Sequence, residues 1–196
     1  VVAVSAPGKR SSEDIKVTDL LIDLAEAALI GGDVDAKIDA VVKRYEDITI
    51  GLGLDHTMSE VIAADLRERV AGDKSNKELF IDSLKASGED NNAKLIATYF
   101  NAAGIPARYV SPKEGLVVND LPERTYALPE AYDNLSMLKD TEEVVIFPGF
   151  FGYTKDGILR TFDRGGSDIT GSILASAVGA DLYENFTDVD CVFSAN

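Results

Sequence analysis

The sequence predicts an α/β fold, a three-layer αβα sandwich built on a mainly parallel sheet. Amphipathic helical segments alternate with short apolar runs of β-branched residues along the chain, an order that is typical of parallel sheets covered by helices. The 196 residues include 45% hydrophobic and 27% charged ones, an ordinary composition for one globular domain. In sheets of this kind, ligands gather at the carboxyl ends of the strands.

The first part of the chain is predicted to form one short strand and two helices. The run from Val1 to Ala6 is apolar and β-branched and ends at Pro7-Gly8, so we expect a strand that leads into a turn. A polar loop over 9–16 follows. An apolar stripe at helical spacing predicts a helix that ends at Gly31-Gly32, and a second helix begins near Asp33.

Two more helices are predicted from residue pairs at capping-box spacing. Thr57–Glu60 and Ser75–Glu78 each put a hydroxyl three residues before a glutamate. The second of these helices is expected to break at Ser87-Gly88, because glycine favours helix ends, and a further helix then runs to Gly104. The helical stretch over about 46–76 looks like an insertion into a single, partial domain that covers 1–196.

The remaining chain is predicted to be richer in strands. Strands are expected over 105–110, 116–118, 143–147 and 182–186. Asp156-Gly157 predicts the turn of a hairpin that joins 150–153 to 158–162. Residues 119–140 are expected to be loop with one or two helical turns, and a helix of small residues is expected over 169–178.

The composition argues against several classes of function. With 19 Lys and Arg against 34 Asp and Glu, the net charge of −15 disfavours binding to nucleic acid or to an anionic membrane. No apolar run is long enough to cross a bilayer. One cysteine, Cys191, and one histidine, His56, provide neither a disulfide framework nor an ordinary zinc site. We therefore expect a cytoplasmic protein without a metal-ligating cluster of side chains.

The strongest local signal for a ligand site is the segment 161–168, Thr-Phe-Asp-Arg-Gly-Gly-Ser-Asp. Its two glycines allow the backbone to approach a ligand, and a helix that begins at Ser167 or Asp168 turns free N–H groups toward it. Arg164 adds a planar donor suited to a carboxylate or a phosphate. The segment predicts an anion-binding cradle, although a tight turn with an N-cap at Ser167 or Asp168 explains the pattern equally well.

Three weaker signals lie at other predicted strand ends or helix breaks. Glu89 follows Ser87-Gly88 and is placed to hold an ammonium group, although a solvated helix end has the same pattern. Asp188 is placed to accept from a ribose hydroxyl and Ser5 to position a small ligand, although ordinary turns explain both. Together, the four segments contain the groups that an amino acid and a nucleotide require.

In combination, these motifs resemble those of the aspartate kinases in the amino acid kinase superfamily. Ser5-Ala6 is similar to the family's Val-Ser-Ala strand end, and Thr18–Leu21 to the Thr-(Asn/Asp)-Leu-Leu that follows it. Four further segments resemble the family's Ser-x-Gly-Glu, Gly-Phe-x-Gly, Arg-Gly-Gly-Ser-Asp and Thr-Asp-Val motifs; they are Ser87–Glu89, Gly149–Gly152, Arg164–Asp168 and Thr187–Asp190. The resemblance covers nearly the whole chain.

The resemblance implies an aspartate kinase, which uses MgATP to phosphorylate the β-carboxylate of L-aspartate in lysine, threonine and methionine biosynthesis. ATP and Mg²⁺ are then the expected cofactors, L-aspartate is the expected substrate, and the full-length protein is expected to be a homodimer. A carboxylate nucleophile agrees with a chain that has a single histidine, because a carboxylate is ionised at pH 7 and needs no general base.

The resemblance also assigns roles to individual residues. Glu89 is expected to bind the substrate ammonium and Arg164 a substrate carboxylate, with Arg164 and Asp168 as the catalytic residues. Other expected pocket residues are Ser5, Thr18, Ser167 and Asp168 for aspartate, and Gly165, Gly166, Thr187, Asp188 and Phe193 for the nucleotide.

The chain departs from the family pattern in two ways. Asp163 and Cys191 stand where the family usually has Gly, and Phe193 and Asn196 where many members have Tyr and Asp. The family's opening Lys-Phe-Gly-Gly motif, which holds the transferred phosphate, and its two regulatory ACT domains have no counterpart in these 196 residues. We therefore expect a truncated catalytic domain, incomplete at both ends, that is inactive alone.

Two other functions remain open at this point. Another superfamily member, an acetylglutamate or glutamate 5-kinase, is one alternative. Glu89 together with Arg164 favours free aspartate over an N-acetylated substrate, which has no ammonium group. The second alternative is a non-catalytic module that binds an amino acid or a nucleotide. Such a module would bind aspartate without turnover.

Overall fold

The structure, a computed structural model, describes residues 1–121, 124–163 and 165–186. Its centre is a three-stranded parallel sheet of β1 (Val2–Val4), β2 (Ala107–Tyr109) and β3 (Val144–Pro148), in the order β1-β3-β2. In the register, Val2 lies opposite Ile146, and Ala107 opposite Val144. The expected parallel sheet is confirmed, and the first strand of the chain pairs with a strand from its last third.

Four helices separate β1 from β2 along the chain. They are α1 (Val17–Ile30), α2 (Val34–Gly51), α3 (Thr57–Val70) and α4 (Lys77–Ala102). As expected, α1 ends at Gly31, which adopts a left-handed conformation with φ 73°, and Asp33 caps α2 by accepting from the Ala36 amide. The buried stripes of α1–α3 and the start of α4 form one apolar cluster around Tyr45, which has no exposed surface.

The second half of the chain adds two helices and a hairpin. A 3₁₀ turn, Pro112–Glu114, precedes α5 (Pro129–Leu135), which continues as a second 3₁₀ turn over Ser136–Asp140. The hairpin of β4 (Phe151–Tyr153) and β5 (Leu159–Thr161) is antiparallel, as Asp156-Gly157 predicted. The final described helix is α6 (Gly166–Ala177), which begins three residues before the predicted start.

Helices cover both faces of the sheet, so the three-layer prediction is confirmed. On one face, Val4 and Ile146 pack against Ala93 and Ala97 of α4. On the other, Val145 and Phe147 pack against α5 and α6. Helices α1–α3 pack against α4 and belong to the same helical layer. Burial of these two faces stabilises the fold, because it removes apolar side chains from water.

Three predicted elements are wrong. The expected break at Ser87-Gly88 does not occur: α4 runs without interruption over 26 residues, from Lys77 to Ala102. The segment 116–118 forms only isolated bridges at Val117 and Val118 instead of a strand. Residues 182–186 are exposed and, within the described part of the chain, pair with no strand. A strand needs a partner for its backbone groups, and apolar patterning alone does not provide one.

Neither predicted capping box forms. The Asp55 side chain accepts from the Thr57 amide at 2.9 Å, so Thr57 is already the first helical residue of α3. Asn76 caps α4 by accepting from the amides of Glu78 and Leu79, while Ser75 donates its hydroxyl to Asp73. At α4 the Asn76 side chain takes the capping role, in line with the strong preference of Asn for that position. The N-cap of α3 is His56, whose side chain makes no capping hydrogen bond.

Among the described residues, no helix combines the length and the apolar character required to span a bilayer. The helical stretch over 46–76 packs through Ile62 and Leu66 into the same cluster as α1 and α2. Its interpretation as an insertion stays a prediction.

Candidate functional site

A cavity of about 900 Å³ opens at the carboxyl end of β1, where α1, α4, the β4–β5 hairpin and the start of α6 meet. This is where ligands of parallel sheets are expected. The cavity has mixed charge, with lysine and arginine side chains opposite several carboxylates. The described cations that line it are Lys16, Lys85, Arg124 and Arg160.

The cavity brings together seven of the residues that the sequence singled out. These residues are far apart in the sequence, because they come from the region between β1 and the start of α1, from α4 and from the segment after β5. The seven are Ser5, Thr18, Glu89, Gly165, Gly166, Ser167 and Asp168. Three of the four segments that the sequence singled out, those with Ser5, Glu89 and Asp168, therefore meet at this cavity. The fourth, with Asp188, lies outside the described residues.

The loop that carries Ser5 is held down from two sides. Arg44, which is 5% exposed on α2, donates to the Asp14 carboxylate and to the Gly8 carbonyl. The Asn92 side chain of α4 donates to the Ser5 carbonyl at 2.7 Å. These contacts order the chain between β1 and α1 at the mouth of the cavity.

Glu89 is the most unusual group in the cavity wall. It is 5% exposed, and its Oε2 atom has no hydrogen-bond partner among the described residues. Burial raises the pKa of this carboxyl to about 7, although a hydrogen bond from the Ala6 amide and the charge of Lys85 both lower it. A buried, unpartnered carboxylate oxygen is costly unless a donor reaches it. The site therefore suits a cationic donor that enters from the cavity.

Gly88 lies inside α4, where it allows the helix to pack closely against its neighbours. A Cβ at position 88 would lie 2.8 Å from the Cβ of Ala6 and 3.1 Å from Leu21. The Gly88 carbonyl accepts from the Tyr45 hydroxyl at 2.6 Å. The glycine is required for close packing of α4 against the β1–α1 loop, and that packing brings Glu89 into the cavity.

The opposite wall contains a strained residue. Phe150 has φ 76° and is the one described non-glycine residue with a positive φ, a conformation that costs an L-residue about 1–3 kcal/mol. Its amide donates to the Thr170 hydroxyl at 3.1 Å and its carbonyl accepts from the Phe162 amide at 2.7 Å. A Cβ on Gly166 would lie 2.7 Å from the Phe150 ring. Gly166 thus serves packing against this wall.

A second cavity, of about 620 Å³, lies beside the first, between β1 and α6. Ser5, Ser167 and Asp168 line both cavities and form the wall that they share. Residues 182–186 also line the second cavity. The pair of cavities can hold two ligands whose ends meet at this shared wall.

The start of α6 lies at the shared wall. Gly165, with φ 75°, is the N-cap, and Ser167 and Asp168 lie in the first turn. Neither hydroxyl nor carboxylate caps the helix, so the interpretation of Ser167 or Asp168 as an N-cap is wrong. The free N–H groups and the positive end of the α6 dipole remain directed at the two cavities, as an anion-binding cradle requires.

Sequence reasoning missed several residues of these cavities. Asp82, Lys85 and Thr161 line the first cavity and contact one another. Asp82 and Lys85 precede Glu89 by seven and four residues on one helix, and this spacing was the available signal once the helix is known to be continuous. In the second cavity, Tyr183 donates to the Asp168 carbonyl at 3.4 Å, and Asn185 to the Asp168 carboxylate at 3.3 Å.

Some of the expected site residues lie outside the part of the chain that the structure describes. They are Arg164, Thr187, Asp188 and Phe193, and their assigned roles stay predictions.

Within the described ranges, no three His, Cys, Asp or Glu side chains form a group that could hold a metal ion by themselves. Asp168 provides one carboxylate at the shared wall. Mg²⁺ that arrives on phosphates needs one or two protein carboxylates, so this donor set suits a phosphate-borne ion and does not suit a protein-held one.

Comparison with protein families and sequences points in a single direction. A sequence profile described as the amino acid kinase family matches residues 3–196. Aspartokinase 3 of Bacillus subtilis (strain 168) is 55% identical over 196 residues, which are all of this chain and 43% of that protein. The aspartate kinase of Pseudomonas fluorescens (strain SBW25) is 31% identical over 67% of this chain and 32% of its own length. The chain therefore spans less than half the length of these relatives.

Solved structures with a similar fold agree with the sequence matches. The aspartate kinase of Clostridium acetobutylicum superposes with a TM-score of 0.77 at 30% identity, over 95% of this chain and 40% of that one. E. coli aspartokinase III, solved in complex with aspartate and ADP, gives a TM-score of 0.66 at 22% identity, over 91% and 40% of the two chains. The second likeness supports the fold alone.

Proposed function

We propose that this chain, which belongs to the amino acid kinase family, is part of an aspartate kinase that phosphorylates the β-carboxylate of L-aspartate with MgATP. The observation that carries the proposal is the buried Oε2 atom of Glu89 in the wall of a cavity, which has no hydrogen-bond partner among the described residues. It is supported by 55% identity to an aspartokinase over the whole chain.

Glu89 favours a substrate with a free ammonium group. An ammonium that enters the first cavity gives Oε2 a charged donor, which no described residue provides, and a hydrogen bond between two charged groups is roughly twice as strong as a neutral one. An N-acetylated amino acid cannot make this contact. We therefore favour aspartate over the acetylglutamate alternative.

The proposed reaction is a displacement at the γ-phosphorus of ATP. One oxygen of the β-carboxylate forms a bond to this phosphorus, the bond between the γ-phosphorus and the β–γ bridging oxygen breaks, and ADP leaves with that electron pair. No proton has to be removed from the nucleophile, because an aspartate carboxylate is ionised at neutral pH. Catalysis then depends on alignment and on positive charge near the transferred group.

The two cavities suggest how the chain aligns the reactants. Aspartate occupies the first cavity, with its ammonium on Glu89, and the hydroxyls of Ser5 and Thr18 are available to its carboxylates. The nucleotide occupies the second cavity. The transferred phosphoryl then lies at the shared wall, where the amide groups at the start of α6 and Ser167 stabilise developing negative charge.

Mg²⁺, when bound, neutralises charge on the β- and γ-phosphates, and Asp168 is the residue that would hold it. In the same proposal, Arg164 binds a substrate carboxylate, and Thr187, Asp188 and Phe193 contact the nucleoside. The homodimer also belongs to the proposal for the full-length protein, and light scattering tests it.

Isothermal titration calorimetry with L-aspartate tests the proposal on the 196-residue chain, and a hydroxamate assay for the acyl phosphate tests it on the full-length protein. We expect Glu89→Gln to weaken aspartate binding by roughly a hundredfold, the loss of a charged hydrogen bond in a buried site. Glu60→Gln, on an exposed residue of α3 that lines neither cavity, is the control.

Three outcomes distinguish the functions. Aspartate binding that depends on Glu89, together with turnover by the full-length protein, is the expected result. Turnover by the 196-residue chain alone would contradict the expectation that it is inactive by itself. Tight aspartate binding without turnover in the full-length protein would indicate the non-catalytic module instead.

A further inference from the structure

Three residues that the proposed function does not use form a cluster in the first cavity. Lys85 Nζ donates to Asp82 Oδ1 at 2.8 Å and to Thr161 Oγ1 at 3.4 Å, and the Thr161 hydroxyl donates to Asp82 Oδ1 at 3.0 Å. The ammonium also lies 5.4 Å from the centre of the Phe150 ring. All four residues line the cavity, so this cation is oriented by α4, β5 and the strained wall together.

The Lys85 ammonium retains capacity for a ligand. An ammonium has three N–H donors, and the described residues accept from two of them, one at the long distance of 3.4 Å. Its side chain is 23% exposed, toward the cavity that it lines. A carboxylate that enters the cavity therefore finds a fixed positive charge one helical turn from Glu89.

The position of the Asp82–Lys85–Thr161 cluster indicates which of the two substrate carboxylates Lys85 binds. Asp82, Lys85 and Thr161 line the first cavity and are not part of the second, whereas the shared wall is formed by Ser5, Ser167 and Asp168. The carboxylate that reacts must lie at the shared wall to reach a phosphoryl donor in the second cavity. The carboxylate at Lys85 is then the one that does not react.

We propose that Lys85 is a specificity residue that binds the α-carboxylate of the substrate amino acid, with Asp82 and Thr161 as the residues that position it. The inference rests on the proposed function, because it takes aspartate to be the acceptor. Glu89 and Lys85 then bind the ammonium and the α-carboxylate, the two groups on one carbon atom, from successive turns of α4. The β-carboxylate is left free to point at the shared wall.

A second lysine of α4 offers a matched control. Lys94 Nζ pairs with Asp90 at 2.9 Å, lies 5.5 Å from the centre of the Tyr109 ring, and has a side chain that is 27% exposed. The local surroundings of the two lysines are thus nearly equal in geometry. Lys94 lines neither cavity, so its removal perturbs the helix without reaching the substrate.

The test compares L-aspartate, L-asparagine and L-isoasparagine, the α-amide of aspartate, by calorimetry on the 196-residue chain. In Lys85→Met, we expect aspartate and asparagine, which keep the α-carboxylate, to bind roughly ten- to hundredfold more weakly, the scale of one charged hydrogen bond. Isoasparagine binding should change by less than about threefold. Lys85→Arg should keep most of the preference for aspartate over isoasparagine, and Lys94→Met should leave it unchanged.

Several calorimetric results would overturn the proposed role of Lys85. Equal losses for aspartate and isoasparagine in Lys85→Met, or no loss for either, would overturn the role of Lys85. A loss confined to aspartate and isoasparagine would show that Lys85 meets the β-carboxylate and would also overturn it. If the unaltered chain and Glu89→Gln bind aspartate equally weakly, the proposed function fails, and this inference fails with it. Thermal unfolding confirms that each variant is folded.

Discussion

Charged groups on the two sides of α4 differ in whether they are paired. On the side toward α3 and β2, Arg69 donates to Asp65, to Asp90 and to the Ser83 carbonyl, at distances from 2.8 to 3.1 Å. Asp90 also accepts from Lys94 at 2.9 Å and from the Tyr109 hydroxyl at 2.5 Å. On the side toward the cavity, one turn or less away, Glu89 keeps an oxygen with no partner among the described residues.

The comparison separates groups that hold the fold from groups that await a ligand. Buried charges that are paired and hydrogen-bonded on all sides are strongly destabilising to break, because the partner left behind is uncompensated. A buried carboxylate without a donor is instead destabilising as long as it stays ionised. Removal of a charge should therefore destabilise one side of α4 and stabilise the other.

The largest effect is expected from the paired side. Arg69→Met leaves the buried carboxylate of Asp90 and the partly buried one of Asp65 without this partner, and we expect the free energy of unfolding to fall by about 3–5 kcal/mol. Urea denaturation followed by circular dichroism measures it. Lys37→Met, at the exposed pair with Asp23, is the control and should have little effect. A small loss in Arg69→Met would mean that the network does not hold α3 on α4.

The next effect has the opposite sign and depends on pH. Burial raises the pKa of Glu89 from 4.5 to about 7 in the folded chain, so the folded state holds this proton more tightly than the unfolded state. The stability that results is complete below about pH 4.5 and is lost as pH rises through 7. The expected loss is roughly 3 kcal/mol.

Glu89→Gln should remove this pH dependence and make the ligand-free chain more stable than the unaltered one at pH 8. Urea denaturation at pH 5 and pH 8 measures the difference between the two proteins. Saturating L-aspartate should reverse the order at pH 8, because the substrate ammonium pairs with the ionised carboxylate. A variant that is less stable at both pH values would show that Glu89 belongs to the fold and not to the site.

The smallest effect is expected where the two sides meet. Tyr45, which is fully buried on α2, donates to the Gly88 carbonyl at 2.6 Å. Tyr45→Phe should lower the free energy of unfolding by about 1 kcal/mol, the net value of one hydrogen bond. Tyr132→Phe, on a residue that is 37% exposed, is the control. An unchanged stability would mean that this hydrogen bond does not anchor α4 to α2.

The sequence predicted most of the fold because apolar periodicity is a local property. The stripes of α1 and α2 follow from it. The hairpin turn follows from the Asp156-Gly157 pair, and the parallel sheet from the alternation of helices with apolar strands, which are also local patterns. Continuity of α4 through Gly88 could not be predicted, because the glycine is required by Ala6, which lies 82 positions earlier (88 − 6) in the sequence. Close approach between distant segments leaves no periodic signal.

The candidate site was predicted in part for a similar reason. Motifs identified Ser5, Glu89 and Asp168, because each lies in a short recognisable segment that reaches a cavity. Lys85 and Thr161 lie on different elements, and only the packing of β5 beside α4 brings them together. Their contact therefore becomes visible only in three dimensions.

The pairing of Val2 with Ile146 has a consequence for the order of folding. Helices α1 to α4 contact one another over short stretches of sequence, and such local contacts form quickly. The join between β1 and β3 closes a loop that contains most of the chain, so it is expected to be among the last contacts made. During synthesis, the helical layer can assemble while the cavity still lacks β3, the hairpin and α6. We therefore expect the chain to become able to bind its ligands only once the sheet is complete.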